Sequence, residues 1–183
     1  MEIIIVLAVI ALIAIFFVTQ YNRLIRLNIT AEEAWSQIEV QLKRRADLIP
    51  NLIETVKGYA AHEQSTFDAV VSARAKATTA SSVADTAAAD GLLTQALRGL
   101  LAVAEAYPDL KASANFAALQ DELATTENKV AFSRQFYNDT VRQLNTALKT
   151  IPTNFFAGFA KVSEREFYEV ADPQDREVPN VKF

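Results

Sequence analysis

The 183-residue chain contains no cysteine. This absence excludes disulfides, thiolate metal sites, a cysteine nucleophile and S-acylation. It also removes the lipid-modified cysteine that a bacterial lipoprotein needs, so any anchor has to be protein. Glycine and proline are scarce, with 4 and 5 copies. The glycines (Gly58, Gly91, Gly99 and Gly158) are scattered, which leaves no Gly-rich phosphate loop. The one histidine, His62, is followed by Glu63, but a zinc metalloprotease helix would need a second histidine at position 66, where Thr66 stands. One histidine without cysteine cannot build a common transition-metal site, and no serine has a histidine partner in view. His62 reads as a surface residue in the middle of a helix. Glu32 and Glu33 follow Thr30 as in the first turn of a helix, so they do not read as a catalytic carboxylate pair. The net charge of −4 gives no electrostatic reason to expect nucleic acid.

What remains is helix-forming composition and one long apolar run. Ile3 to Val18 is sixteen uninterrupted apolar residues, thirteen of them Ile, Leu, Val or Phe. Those thirteen contribute about 4 to 8 kcal/mol in favour of a bilayer, with no charge opposing. Extended to Tyr21, the run reaches about 28 Å, near the hydrocarbon thickness of a membrane. A cleaved signal peptide would require a basic n-region and a small-x-small site; the n-region charge is Glu2, and the run ends Phe16-Phe17-Val18. The run therefore reads as an uncleaved anchor over residues 1–21. Arg23 and Arg26 just after it, against Glu2 before it, place the N-terminus outside and the rest of the chain in the cytoplasm.

Beyond the anchor, a first soluble helix continues directly from the membrane helix, with no glycine or proline between residues 19 and 49. Its apolar face runs through Trp35, Ile38, Leu42, Ile49, Leu52, Ile53, Val56, Tyr59, Ala60, Phe67, Val70 and Val71 at steps of mostly three and four. Pro50 should kink this helix and not end it, and Gly58 is a second weak point. Residues Thr78 to Ala89 are small and polar and read as a loop. A second helix carries Leu92, Leu93, Leu97, Leu100 and Leu101, with Pro108 as its stop. A third runs from Ser113 or Asn115 to about Ile151, before Pro152. Phe116, Leu123, Val130, Tyr137, Leu144 and Ile151 repeat every seven residues on it, beside a smaller column of Leu119, Thr126, Ser133, Thr140 and Ala147. A large column beside a small one suits close helix packing. Phe155, Phe156, Phe159, Phe167 and Tyr168 form an aromatic cluster. It reads as a short fourth helix packed on the bundle, the other reading being an oligomer or membrane contact.

The densest polar patch is Lys43 to Asn51. Arg45 takes the d position of a heptad whose a positions are Leu42 and Ile49, so it points partly inward and needs an acidic or carbonyl partner. Glu122, Glu127 and Asn128 on the third helix are the candidates. The polar cluster expected here is thus Arg45, Asp47, Asn51, Glu122, Glu127 and Asn128, read as structural, with a polar switch or ligand site as the other reading.

Ala34-Trp35-Ser36-Gln37-Ile38-Glu39 through Arg45-Ala46-Asp47-Leu48-Ile49-Pro50-Asn51-Leu52, with Tyr21-Asn22 before it, resembles the LemA family. Gln120-Asp121-Glu122-Leu123, Thr126-Glu127-Asn128-Lys129 and Phe136-Tyr137-Asn138 are similar to that family's third-helix signature. The resemblance covers nearly the whole chain after residue 20. It implies a bacterial, membrane-anchored, long-helix bundle in the cell (inner) membrane. Relatives are associated with membrane organisation, and some occur beside membrane proteases. Some carry a lipoprotein cysteine before the Tyr-Asn pair, where this chain has Thr19 and Gln20. The resemblance supplies no catalytic residues.

The sequence thus predicts an all-α fold: an N-terminal transmembrane helix at 1–21, an elongated antiparallel bundle of three long helices plus a short C-terminal helix at 22–163, and an extended tail at 164–183. The expected function is a non-enzymatic, self-associating scaffold or adaptor in membrane organisation. The alternative is a membrane-tethered sensor or ligand-binding bundle, or a partner of a membrane protease. Expected partners are the lipid bilayer, further copies of the chain and another membrane protein. No nucleic acid, cofactor or small-molecule substrate is expected.

Overall fold

The computed structural model describes residues 1–169. Among these there is no strand. The elements are α1 (Glu2–Lys57), α2 (Gln64–Thr79), α3 (Val83–Glu105), α4 (Pro108–Lys111), α5 (Ala114–Lys149), a 3-10 turn (Thr153–Phe156) and α6 (Ala157–Ala160). The all-α class and the long apolar N-terminal helix are as the sequence predicts. The expected tail lies outside the described residues from position 170 onward.

Helix α1 passes without a break from the apolar run into the polar sequence beyond it. Thr30 caps nothing: its Oγ1 donates to the carbonyl of Arg26 one turn earlier, inside α1. The expectation of a helix start at Thr30, with Glu32 and Glu33 in its first turn, is therefore corrected. Pro50 lies within α1, which continues to Lys57. The helix stops at Gly58, and residues 58–63 turn the chain before α2 begins. His62 accordingly sits exposed in that turn and not mid-helix. Tyr59 and Val71, placed on the apolar face from their spacing, are 47% and 54% exposed.

The expected loop from Thr78 to Ala89 is much shorter. Helix α3 starts at Val83, and the side chain of Ser82 caps it by accepting from the Asp85 amide at 3.0 Å. Such a cap satisfies one of the orphan amides of the first turn and contributes about 1 kcal/mol. It outweighs the weak periodicity of a segment rich in alanine, itself the best helix former.

The described chain divides into two compact units. One comprises Met1–Ile38 with Ser133–Phe167; the other comprises Glu39–Phe132 with the described residues from Tyr168 onward. In the first, Leu24, Ala31, Leu144, Ala147, Phe156 and Val162 form the core. In the second, Ile49, Leu52 and Val56 of α1 meet Phe67 and Val70 of α2, Leu93, Leu97 and Leu100 of α3, Leu110 of α4, and Phe116 and Leu123 of α5. The seven-residue column of α5 is buried at 116, 123, 130, 137 and 144, whereas Ile151, just beyond the helix, is 76% exposed.

In the first unit the chain turns back after α6. Lys161 adopts a left-handed conformation (φ 52°). The Lys161 amide donates to the Gly158 carbonyl and the Val162 amide to the Ala157 carbonyl, a Schellman closure. An extended segment follows and is clasped in place. The Asn145 side chain donates to the Arg165 carbonyl at 2.9 Å and accepts from the Arg165 amide at 3.0 Å, replacing the ladder partner that an isolated extended strand lacks. The Arg165 guanidinium reaches Asn28 Oδ1 at 3.0 Å and Glu32 Oε1 at 2.6 Å. Tyr137 Oη donates to the Glu166 carbonyl at 2.9 Å, and its ring meets Trp35 at 5.4 Å between centroids.

Candidate functional site

The most concentrated buried chemistry lies in the second unit, around Arg45. Its side chain is 2% exposed, and Nη1 lies 2.6 Å from Asp90 Oδ1, itself buried. Nη2 donates to Thr94 Oγ1 at 2.8 Å and pairs with Glu127 Oε2 at 3.1 Å. Tyr168 Oη donates to Asp90 Oδ2 at 3.1 Å, so both oxygens of that carboxylate are engaged. Burying a guanidinium is expensive unless it is paired and hydrogen-bonded. Here its planar fork meets that condition by joining α1 to Asp90 and Thr94 of α3 and Glu127 of α5. Arg45 Nε and Gln41 Oε1, one helical turn apart on α1, are buried without a hydrogen-bond partner.

The residues expected from sequence separate into two groups. Arg45 and Glu127 come together. Glu122 pairs instead with Arg44, at 3.0 Å and about half exposed. Asp47 is exposed and pairs with Lys43 one turn back. Asn51 and Asn128 are exposed, and the Asn51 carbonyl accepts from Thr55 within α1. Asp90, Thr94 and Tyr168 were not among the expected residues. The signal that could have found Asp90 is its place on the buried stripe of α3: Thr86, Asp90, Leu93, Leu97, Leu100 and Ala104 recur at steps of three and four.

Asp90 also lies on the wall of a cavity of about 340 Å³, with Glu39, Lys43, Asp47, Thr78 and Thr86 among the other lining residues. A second groove, about 440 Å³, runs between α2 and α3 and is lined by small side chains such as Ala69, Ser72, Ala96 and Gly99, with Lys76 as its charged member. Among the described residues no group of three His, Asp or Glu side chains converges as metal ligands. Beside the turn after α1, Tyr107 Oη donates to Glu63 Oε1 at 3.3 Å, and its phenol is raised above the ordinary value by desolvation and then by the Glu63 charge. The arrangement around Arg45 sets two carboxylates and two hydroxyls about one guanidinium. Its chemistry is charge neutralisation between helices.

The first turns of α1 have the opposite character. Residues 1–19 are exposed throughout, and the stretch is long and apolar enough to cross a membrane. An exposed apolar stretch of that length, joined to helical units closed by ion pairs, defines a membrane-associated helical protein. The chain belongs to the LemA family, whose sequence model matches residues 34–183. It is 24% identical over 190 residues to magnetosome protein MamQ 2 of Paramagnetospirillum magneticum, covering 90% of this chain and 70% of that one. It is 25% identical over 189 residues to magnetosome protein MamQ of Magnetospirillum gryphiswaldense, covering 85% and 70%. Protein LemA of Metamycoplasma hominis is 27% identical over 168 residues, covering 90% and 74%. Neither LemA nor MamQ is a known enzyme family.

Proposed function

We propose that this protein is a non-enzymatic, single-pass membrane scaffold or adaptor, with its N-terminus outside and its helical units in the cytoplasm, and that it self-associates. The observation that carries the reading is α1 itself. One helix supplies both the exposed apolar stretch and Arg45, the residue whose burial organises the second unit. The helix runs from the apolar stretch into the polar sequence without a break, which suits a protein that presents a surface beside the membrane. Arg23 and Arg26 beside the apolar run support the orientation. The relatives named above carry magnetosome and LemA names that state no reaction.

Crosslinking in intact bacterial membranes, followed by mass spectrometry, tests this. The expected result is crosslinks between copies of the chain, together with crosslinks to another membrane protein. A strictly monomeric detergent-solubilised protein that forms crosslinks only within itself would overturn it.

The cavity beside Asp90 favours a second reading, a membrane-tethered sensor that binds a small polar ligand. Under that reading Lys43→Ala and Asp47→Ala abolish the cellular phenotype at unchanged abundance. Under the scaffold reading they leave it intact.

A further inference from the structure

The structure places a second hydrophobic element at the end of the apolar run. Eleven residues, Thr150 to Ala160, carry no charge. They form the turn after α5, the 3-10 turn and α6. One side of this element faces α1. Phe156 is 4% exposed, with its ring 4.5 Å from Phe17 and 6.5 Å from Phe16 between centroids. Phe159 meets Phe17 at 6.0 Å, and Thr153 Oγ1 donates to Gln20 Oε1 at 3.3 Å. The element is therefore fixed at the level of residues 16–20, where the apolar run gives way to polar sequence. Much of its apolar surface is nonetheless bare, including most of Phe159. Ile151, Phe155 and Phe159, spaced four residues apart, are 76%, 67% and 72% exposed.

We infer that Ile151, Phe155 and Phe159 insert into the acyl–headgroup boundary of the same bilayer that α1 crosses, making a second, interfacial membrane contact. Large exposed apolar side chains clustered in one place mark an interaction surface. The occupant follows from position: the cluster is packed against the very turn of α1 that must lie at the membrane boundary, so lipid reaches both together. Aromatic rings suit that depth, and shallow insertion of phenylalanine beside basic residues is how monotopic elements hold an interface. Lys161, Arg23 and Arg26 are exposed and available to anionic headgroups. The contact would hold the α5–α6 end of the first unit to the membrane independently of the span. This inference rests on α1 crossing the bilayer and not on the scaffold role.

The absence of cysteine makes the test direct. Single Phe155→Cys and Phe159→Cys variants of the full chain are labelled with a nitroxide and reconstituted in vesicles of equal parts phosphatidylcholine and phosphatidylglycerol. Ile10→Cys, within the span, and Ser163→Cys, exposed just after α6, are the reference sites. Collision rates with dissolved oxygen and with a water-soluble nickel complex report depth. The expected result is an oxygen-to-nickel ratio at 155 and 159 several-fold above that at 163, approaching that at 10. A lipid-like value at 10 with a water-like value at 155 and 159 would overturn the inference and leave the span standing. A water-like value at 10 would overturn both. Spin–spin broadening at 155 and 159 that disappears on dilution with unlabelled chain would show a second copy covering the patch, and would also overturn it.

Discussion

Arg74 Nε donates a 2.8 Å hydrogen bond to the backbone carbonyl of Ala46. Ala46 stands four residues before Pro50, the position whose amide would normally satisfy that carbonyl within α1. Proline has no amide hydrogen, so its presence frees the acceptor. A side chain from α2 takes the vacancy, and the proline is thereby converted into a tie between two helices. Arg74→Ala should cost about 1–2 kcal/mol in urea unfolding, because it strands a partly buried carbonyl. In the Pro50→Ala background the same substitution should cost clearly less, since the restored amide bonds Ala46 itself. A double-mutant cycle showing no coupling would separate Arg74 from the proline.

The pairing of Arg45 with Asp90 predicts an asymmetry. Asp90→Ala removes the buried carboxylate from this guanidinium, leaving its contacts with Glu127 and Thr94, and should destabilise the fold by about 3–5 kcal/mol. Replacing both members with apolar residues of similar volume, Arg45→Met with Asp90→Leu, should recover most of that loss. Thermal unfolding in detergent, followed by the loss of the helical circular-dichroism signal, compares the three proteins. A double variant as unstable as Asp90→Ala would mean that the pair does more than neutralise its own burial.

Surface ion pairs should behave differently. Lys43–Asp47, Arg142–Asp139 and Lys149–Glu164 are separated by 2.8 to 2.9 Å, but their side chains remain about half exposed or more. Solvent screening and lost side-chain entropy cancel most of such an attraction. Asp47→Ala and Glu164→Ala should each change unfolding free energy by less than about 1 kcal/mol. A larger loss for Asp47→Ala would assign that residue a structural role beyond its contact with Lys43.

How much of this was legible in the sequence depended on whether one signal spoke alone. The apolar run and the heptads of α5 speak for themselves, because burial at 116, 123, 130, 137 and 144 follows from a single repeat. Arg45 could be read in the same way, since its flanking apolar positions give its direction. Its acid could not. Asp90 lies just after the alanine- and serine-rich stretch read as a loop, where low side-chain contrast hides the helical stripe that Leu93 and Leu97 make plain. Tyr168 was out of reach for another reason: extended segments carry no periodicity that names a partner across more than seventy residues. The end of the first helix was a contest between two signals. Pro50 was expected to kink the helix and not to end it, with Gly58 as a second weak point; Arg74 supplies the bond the proline lacks, and the helix ends at Lys57, just before Gly58.

Tyr137 gives the protein an alkaline limit. Burial raises its phenol above the ordinary value of 10.0; the Arg165 charge opposes this and the Glu166 charge adds to it. The neutral form is also the one that can donate to the Glu166 carbonyl and hold the extended segment. Because the folded-state pKa is the higher, the stability contributed is complete below the unfolded value and is lost as pH rises through the folded one. Tyr137→Phe removes the hydrogen bond and keeps the ring against Trp35, so at neutral pH it should cost about 1 kcal/mol. Above about pH 10 the native protein should lose stability faster than the variant, and the gap between them should narrow. Urea unfolding of both proteins across that range reads the difference directly, and Tyr107, raised in the same direction, is common to both and drops out of the comparison. A gap that stays constant with pH would mean that the Tyr137 hydroxyl titrates alike in the folded and unfolded chain, and that the clasp on Glu166 does not depend on its proton.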